Sequence, residues 1–112
     1  MTEIIVKKKN GNIVEISASG HTGYANSGKD ILCSAVSTLL QTSCLGIKKL
    51  LKVDAKIKID EKKALLNLKV PNLEKQEMEK VQIILKTTLL GLEDIAFGNE
   101  KYIKLEVKDE IN

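Results

Sequence analysis

A chain of 112 residues, 43% of them hydrophobic, has the length and apolar content of one domain that builds its own core without disulfides. Charged residues make up 29% and are dispersed, so no uninterrupted apolar stretch is expected to reach the roughly 20 residues of a membrane span. Eighteen basic and 15 acidic residues leave a formal charge of +3, and aromatics are only 3%, so a base-stacking platform is excluded and neither membrane nor direct nucleic-acid contact is expected.

The N-terminus, Met1-Thr2-Glu3-Ile4-Ile5-Val6-Lys7, begins like a strand and lacks the layout of a secretory signal. The expected compartment is therefore the cytoplasm, and Cys33 and Cys44 read as thiols. Residues 3–9 and 12–19 are β-rich and flank Asn10-Gly11, a dipeptide suited to the positive φ angles of a tight type I′ turn, so the chain opens with a β-hairpin. Residues 20–30 hold Gly20, Gly23 and Gly28 among small polar residues and read as a loop.

Ile31, Leu32, Ala35, Val36, Leu39, Leu40, Ile47, Leu50 and Leu51 then recur at helical spacing, with Ser27 or Asp30 available as the N-cap. Ser34, Ala35, Ser37, Thr38, Ser43 and Gly46 make this helix slim enough to lie close against a sheet or a second helix. Residues 53–59 and 64–70 alternate apolar and polar around Asp60-Glu61-Lys62-Lys63, a second hairpin. After Pro71-Asn72, a second helix presents Met78, Val81, Leu85, Thr88, Leu92 and Ile95 on one face, widened by Ile84 and Leu89, and ends at Gly98-Asn99. Residues 102–107 alternate again as a last strand. The order ββαββαβ predicts a single α+β domain over residues 1–112, a mostly antiparallel sheet with two packed helices.

Chemistry concentrates between the first hairpin and the first helix. His21, the only histidine, sits in the glycine-rich loop, and Cys33 falls in the first turn of the helix. Unpaired N–H groups and the dipole at a helix start favour a thiolate, as does a nearby imidazolium, so the thiol pKa is expected to fall from about 8.5 to roughly 3.5–7.5. Asp30 either orients His21 or caps the helix, and Ser37, one turn past Cys33, lines the same face. Read without further context, a cysteine among Ala and Val is more often a packed small hydrophobe, and a lone histidine more often a surface or capping group. Cys44, in mid-helix with no histidine or acid pattern around it, reads as structural. The two cysteines and one histidine lack zinc-ligand spacing, and no Gly-Lys-Ser/Thr follows Gly20-His21-Thr22-Gly23 to make a phosphate loop; no metal or cofactor is implied.

The run Gly20-His21-Thr22-Gly23-Tyr24-Ala25-Asn26-Ser27-Gly28-Lys29-Asp30-Ile31-Leu32-Cys33-Ser34-Ala35-Val36-Ser37 resembles the signature of the ribosomal-processing cysteine protease Prp family. That pattern is Gly-His, a variable glycine-containing loop, Gly-x-Asp-Ile-Val-Cys and Ala-x-Val-Ser; here Leu32 stands where valine is common and Ser34 where alanine is frequent. The resemblance implies Cys33 as nucleophile, His21 as general base and acid, and Asp30 and Ser37 as supporting residues. It also implies a mobile substrate loop that includes Gly20, Thr22, Gly23, Tyr24 and Gly28. The implied activity is removal of an N-terminal extension from large-subunit ribosomal protein number twenty-seven, by cleavage after an aromatic residue, in a homodimer. A different reading, prompted by small size, mild basicity and the clusters Lys7-Lys8-Lys9, Lys48-Lys49 and Lys62-Lys63, is a non-catalytic ribosome-associated binding module. A third is a structural domain in which Cys33 is packed and inert.

Overall fold

In the computed structural model, which describes residues 1–20 and 30–110, strands β1 (Thr2–Lys9) and β2 (Asn12–Ser19) pair antiparallel. Asn10 and Gly11 join them with φ of 54° and 80°, the pair of positive values that a type I′ turn requires. The register shifts between Lys7 and Lys8, a bulge just before the turn. Along β1, Thr2, Ile4 and Val6 are buried while Glu3, Ile5 and Lys7 are less so, which gives the sheet one face toward the core.

Helix α1 (Ile31–Leu45) passes directly into a π-helical turn, Gly46–Leu50, closed by the Leu51 N–H donating to the Gly46 carbonyl at 3.1 Å. Lys52, at φ 55°, turns the chain out of the helix. By length and composition the run Ile31–Leu50 is apolar enough to cross a bilayer, although Gln41, Lys48 and Lys49 interrupt it, so it is not an uninterrupted apolar stretch. Within the fold, Val36, Leu40, Cys44 and Ile47 of this run are buried in the core. Strands β3 (Lys56–Asp60) and β4 (Leu65–Lys69) form the second hairpin, helix α2 spans Lys75–Ala96, and β5 spans Ile103–Glu110. At the end of α2, Gly98 adopts φ 81° and Asn99 Nδ2 donates to the Ile95 carbonyl at 2.7 Å.

The five strands lie in the order β3-β4-β2-β1-β5, every neighbouring pair antiparallel except β1 with β5. From these pairings β3 runs parallel to β2, and β5 parallel to β4, so β2-α1-β3 and β4-α2-β5 are two crossover units, each split by the strands between its own pair. The predicted ββαββαβ order and mostly antiparallel sheet are as the chain folds. One core joins the layers: Ile4 and Val6 of β1, Ile13 and Ile16 of β2, and Leu68 of β4 meet Leu40 and Ile47 from the first helical run and Val81, Leu85 and Leu92 from α2.

Two contacts fix how the helices sit. Buried Gln82 of α2 donates from Nε2 to the Ile13 carbonyl at 2.8 Å and accepts the Ile13 N–H on Oε1 at 2.6 Å, which ties α2 to β2 through both polar groups of one residue. Between the helices the Ser43 and Thr88 hydroxyls are hydrogen-bonded, and a Cβ on Gly91 would come within 3.0 Å of Leu39 Cδ1. Small residues thus bring α1 and α2 close, as the composition of the first helix predicts.

Candidate active site

Asp30 begins α1. Its backbone is extended, φ −77° and ψ 91°, its Oδ1 accepts the Cys33 N–H at 3.1 Å, and its carbonyl accepts the Ser34 N–H at 3.1 Å. With only 3% of its surface exposed, it is a buried N-cap. Of the two roles open to Asp30, capping is the one seen among the described residues; His21 lies outside them, as do Thr22, Gly23, Tyr24 and Gly28. Cys33 is the third residue of the helix and is partly exposed, whereas Cys44 is packed in the core; both are free thiols.

Cys33 opens onto a cleft of about 270 Å³. On the α1 side stand Cys33, Ser37 and Gln41; across from them are Ile59, Glu61 and Leu65 of the β3–β4 hairpin. Ser37 Oγ accepts from Gln41 Nε2 at 2.8 Å, so the expected supporting serine lines the cleft already oriented by its neighbour one turn on. Gln41 and Glu61 have no local sequence signal: the first reads as an exposed helix residue and the second as turn surface, and only the folding of the second hairpin against α1 makes them cleft walls.

Gly20 also lines the cleft and is held at both its peptide groups. Its N–H donates to the Lys63 carbonyl at 3.3 Å and its carbonyl accepts from Thr2 Oγ1 at 3.0 Å. Its φ of 86° and the 2.6 Å separation between a would-be Cβ and the Met1 carbonyl oxygen admit no side chain. Gly20, grouped in the sequence with the loop that follows, is thus an anchored point where the end of β2, the start of β1 and the second hairpin are joined.

The electrostatics of Cys33 run opposite to the expectation from its helix-start position. Burial pushes the thiol above its ordinary value, and the Asp30 carboxylate beside it pushes it further. The backbone N–H of Cys33, which a thiolate or an oxyanion could use, is occupied by Asp30 Oδ1. The dipole argument is opposed here because the residue that caps the helix is itself anionic, and its charge raises the thiol. Burial likewise raises the Cys44 thiol, opposed by Lys48 and a backbone hydrogen bond. Among the described residues no group of three or more His, Cys, Asp or Glu side chains could hold a metal ion.

None of the curated proteins compared with the chain matches it. Solved structures do. SMU.848 from Streptococcus mutans superposes with a TM-score of 0.86 at 22% identity, covering 98% of this chain and 96% of that one. The Staphylococcus aureus ribosomal processing protease Prp, in complex with a covalently linked product peptide, gives a TM-score of 0.86 at 24% identity, over 96% of this chain and all of that one (100%). The same protease with a substrate peptide gives 0.82 at 22% identity, again over 96% and 100%. These likenesses establish the fold. The family model described as cysteine protease Prp matches residues 1–104, nearly the whole chain and all of the cleft, and the chain therefore belongs to the Prp family of cysteine proteases.

Proposed function

We propose that this cysteine protease is an endopeptidase of ribosomal-protein maturation, which removes a short N-terminal extension from large-subunit ribosomal protein number twenty-seven by cutting after an aromatic residue. Cys33 is the nucleophile and His21 its general base and acid. The observation that supports this most directly is the placement of Cys33, partly exposed at the start of α1 and open to a cleft of about 270 Å³. A packed, inert thiol would look like Cys44 instead. The proteolytic substrate is suggested by the Staphylococcus aureus neighbour, a ribosomal processing protease that holds substrate and product peptides. A homodimer, implied by the motif's resemblance to the family, completes the reading, with the cytoplasm as its compartment.

The chemistry follows from the raised thiol. Because burial and the Asp30 charge raise the Cys33 thiol above its ordinary value, its proton passes to His21 as Sγ attacks the scissile carbonyl and the C–S bond forms. The tetrahedral oxyanion needs N–H donors. Since the Cys33 N–H is engaged by Asp30, the glycine-rich loop is the better source of them. The C–N bond breaks as His21 gives that proton to the leaving amine; water, deprotonated by His21, then attacks the thioester, the C–S bond breaks, and His21 returns the proton to Sγ. Asp30 contributes by fixing the first turn of α1, and Ser37 by lining the cleft beside the sulfur.

A synthetic peptide spanning the extension of the ribosomal protein tests this. The parent chain is expected to cut it at one bond, and Cys33→Ala to lose about 10³-fold or more of the rate. Equal cleavage by Cys33→Ala would end the mechanism.

A further inference from the structure

The cleft at Cys33 does not end at Gln41. A second cavity of about 260 Å³ continues along α1 and shares Gln41, Ile59 and Leu66 with the first. Its remaining walls include Cys44 and Leu45 of α1, Lys48 of the π turn and Ile57 of β3. Along α1 the lining advances from Cys33 through Ser37 and Gln41 to Leu45, while along β3 it retreats from Asp60 through Ile59 to Ile57. Two walls that run in opposite chain directions past shared residues define one continuous groove.

The far half of that groove is apolar. Ile57 and Ile59 face their cross-strand partners Leu68 and Leu66 on the helix side of the sheet. Ile59 and Leu45 nevertheless stay 56% and 53% exposed. β3 is an edge strand, so no further strand covers them. Cys44 lies eleven positions past Cys33. At about 1.5 Å of rise per helical residue that is about 16 Å, or about five residues of extended peptide at about 3.3 Å each.

We infer that the groove between α1 and β3 is a second, apolar subsite of the protease, which takes a hydrophobic side chain of the substrate peptide about five residues from the scissile bond. This rests on the reading of Cys33 as nucleophile. The occupant is the substrate because the groove shares Gln41, Ile59 and Leu66 with the cleft at Cys33, where the proposed reaction puts the scissile bond. An apolar anchor placed this far from the sulfur would select long, extended substrates over short ones, with Lys48 at the rim able to engage a peptide carbonyl or carboxylate.

The test uses the full-length protein and two synthetic peptides from the ribosomal extension, one reaching about eight residues to each side of the scissile bond and one cut back to about three. The long peptide should have a KM about tenfold lower than the short one. Exposed Leu45 allows a variant that spares the core: Leu45→Asp should raise KM for the long peptide about tenfold with kcat unchanged, and leave the short peptide untouched, with Leu45→Met behaving as parent. Independently of any variant, serine scanning of the long peptide against the parent should raise KM at one position about four to six residues from the cut. If no position beyond the short peptide matters, or Leu45→Asp handles both peptides like the parent, the subsite is absent while the protease reading stands. If Leu45→Asp alters sedimentation but not KM, the groove holds a second copy and the inference is wrong. If the parent cuts neither peptide, or Cys33→Ala cuts both, the protease reading itself fails and the subsite goes with it.

Discussion

At Cys33 two local effects compete: a helix start favours a thiolate, and burial beside the Asp30 carboxylate disfavours it. The thiol stands above its ordinary value, raised first by burial and then by the Asp30 charge, and the N–H of Cys33 is already bonded to the Asp30 oxygen. Iodoacetamide labelling of the unliganded protein should therefore rise with pH through a midpoint above the ordinary thiol value. In Asp30→Asn the amide retains the cap and removes the charge, so the midpoint should move down; an unchanged or higher midpoint would show that Asp30 does not act on the sulfur. Asp30→Ala, which also loses the cap, should cost about 1 kcal/mol of stability in addition. Gly20 is a second residue with a single admissible identity, by its φ of 86° and its approach to Met1. Gly20→Ala should destabilise the fold by about 1–3 kcal/mol, read by urea denaturation; a variant with the parent's midpoint would mean that the end of β2 yields freely.

Among the elements, α2 was largely legible: Val81, Leu85, Thr88 and Leu92, predicted on one face, are buried. Gln82 was not legible, because an amide beside that face reads as solvated until β2 presents it with both polar groups of Ile13. Gln82→Leu strands a buried N–H and a buried carbonyl and should cost about 2–4 kcal/mol in chemical denaturation; a neutral result would mean that water takes over both. The paired hydroxyls of Ser43 and Thr88 also lie within reach of their own i−4 carbonyls, Leu39 and Ile84. Each hydroxyl has one proton, so one donates across the helix pair and the other back along its own helix. The first helix is the element whose ending the sequence hides, since nothing in Gly46-Ile47-Lys48-Lys49-Leu50 distinguishes a π turn from a continued α-helix.

For the whole molecule, β5 is the strand that completes the sheet, pairing in parallel with all of β1 from Thr2 to Lys9. Buried Ile103 anchors its start. Deleting residues 103–112 would leave β1 as a bare edge and open the core at Ile4, so the truncated chain should lose cooperative thermal unfolding by circular dichroism; a sharp transition near that of the parent would show that β5 is dispensable. Sequence alone determined both hairpins, both helices, their order and the helix-start position of Cys33, because turn chemistry at Asn10-Gly11 and apolar periodicity act over a few residues. It also carried the motif by which the family is recognised. Tertiary structure decided what depends on distant segments meeting: the strand order and the parallel β1–β5 pair, the β3–β4 wall that turns an exposed helix face into a cleft, the anchoring of Gly20, and the direction in which the Cys33 thiol is pushed. Burial and the distance between charges are set by packing, and a pattern along one chain does not contain them.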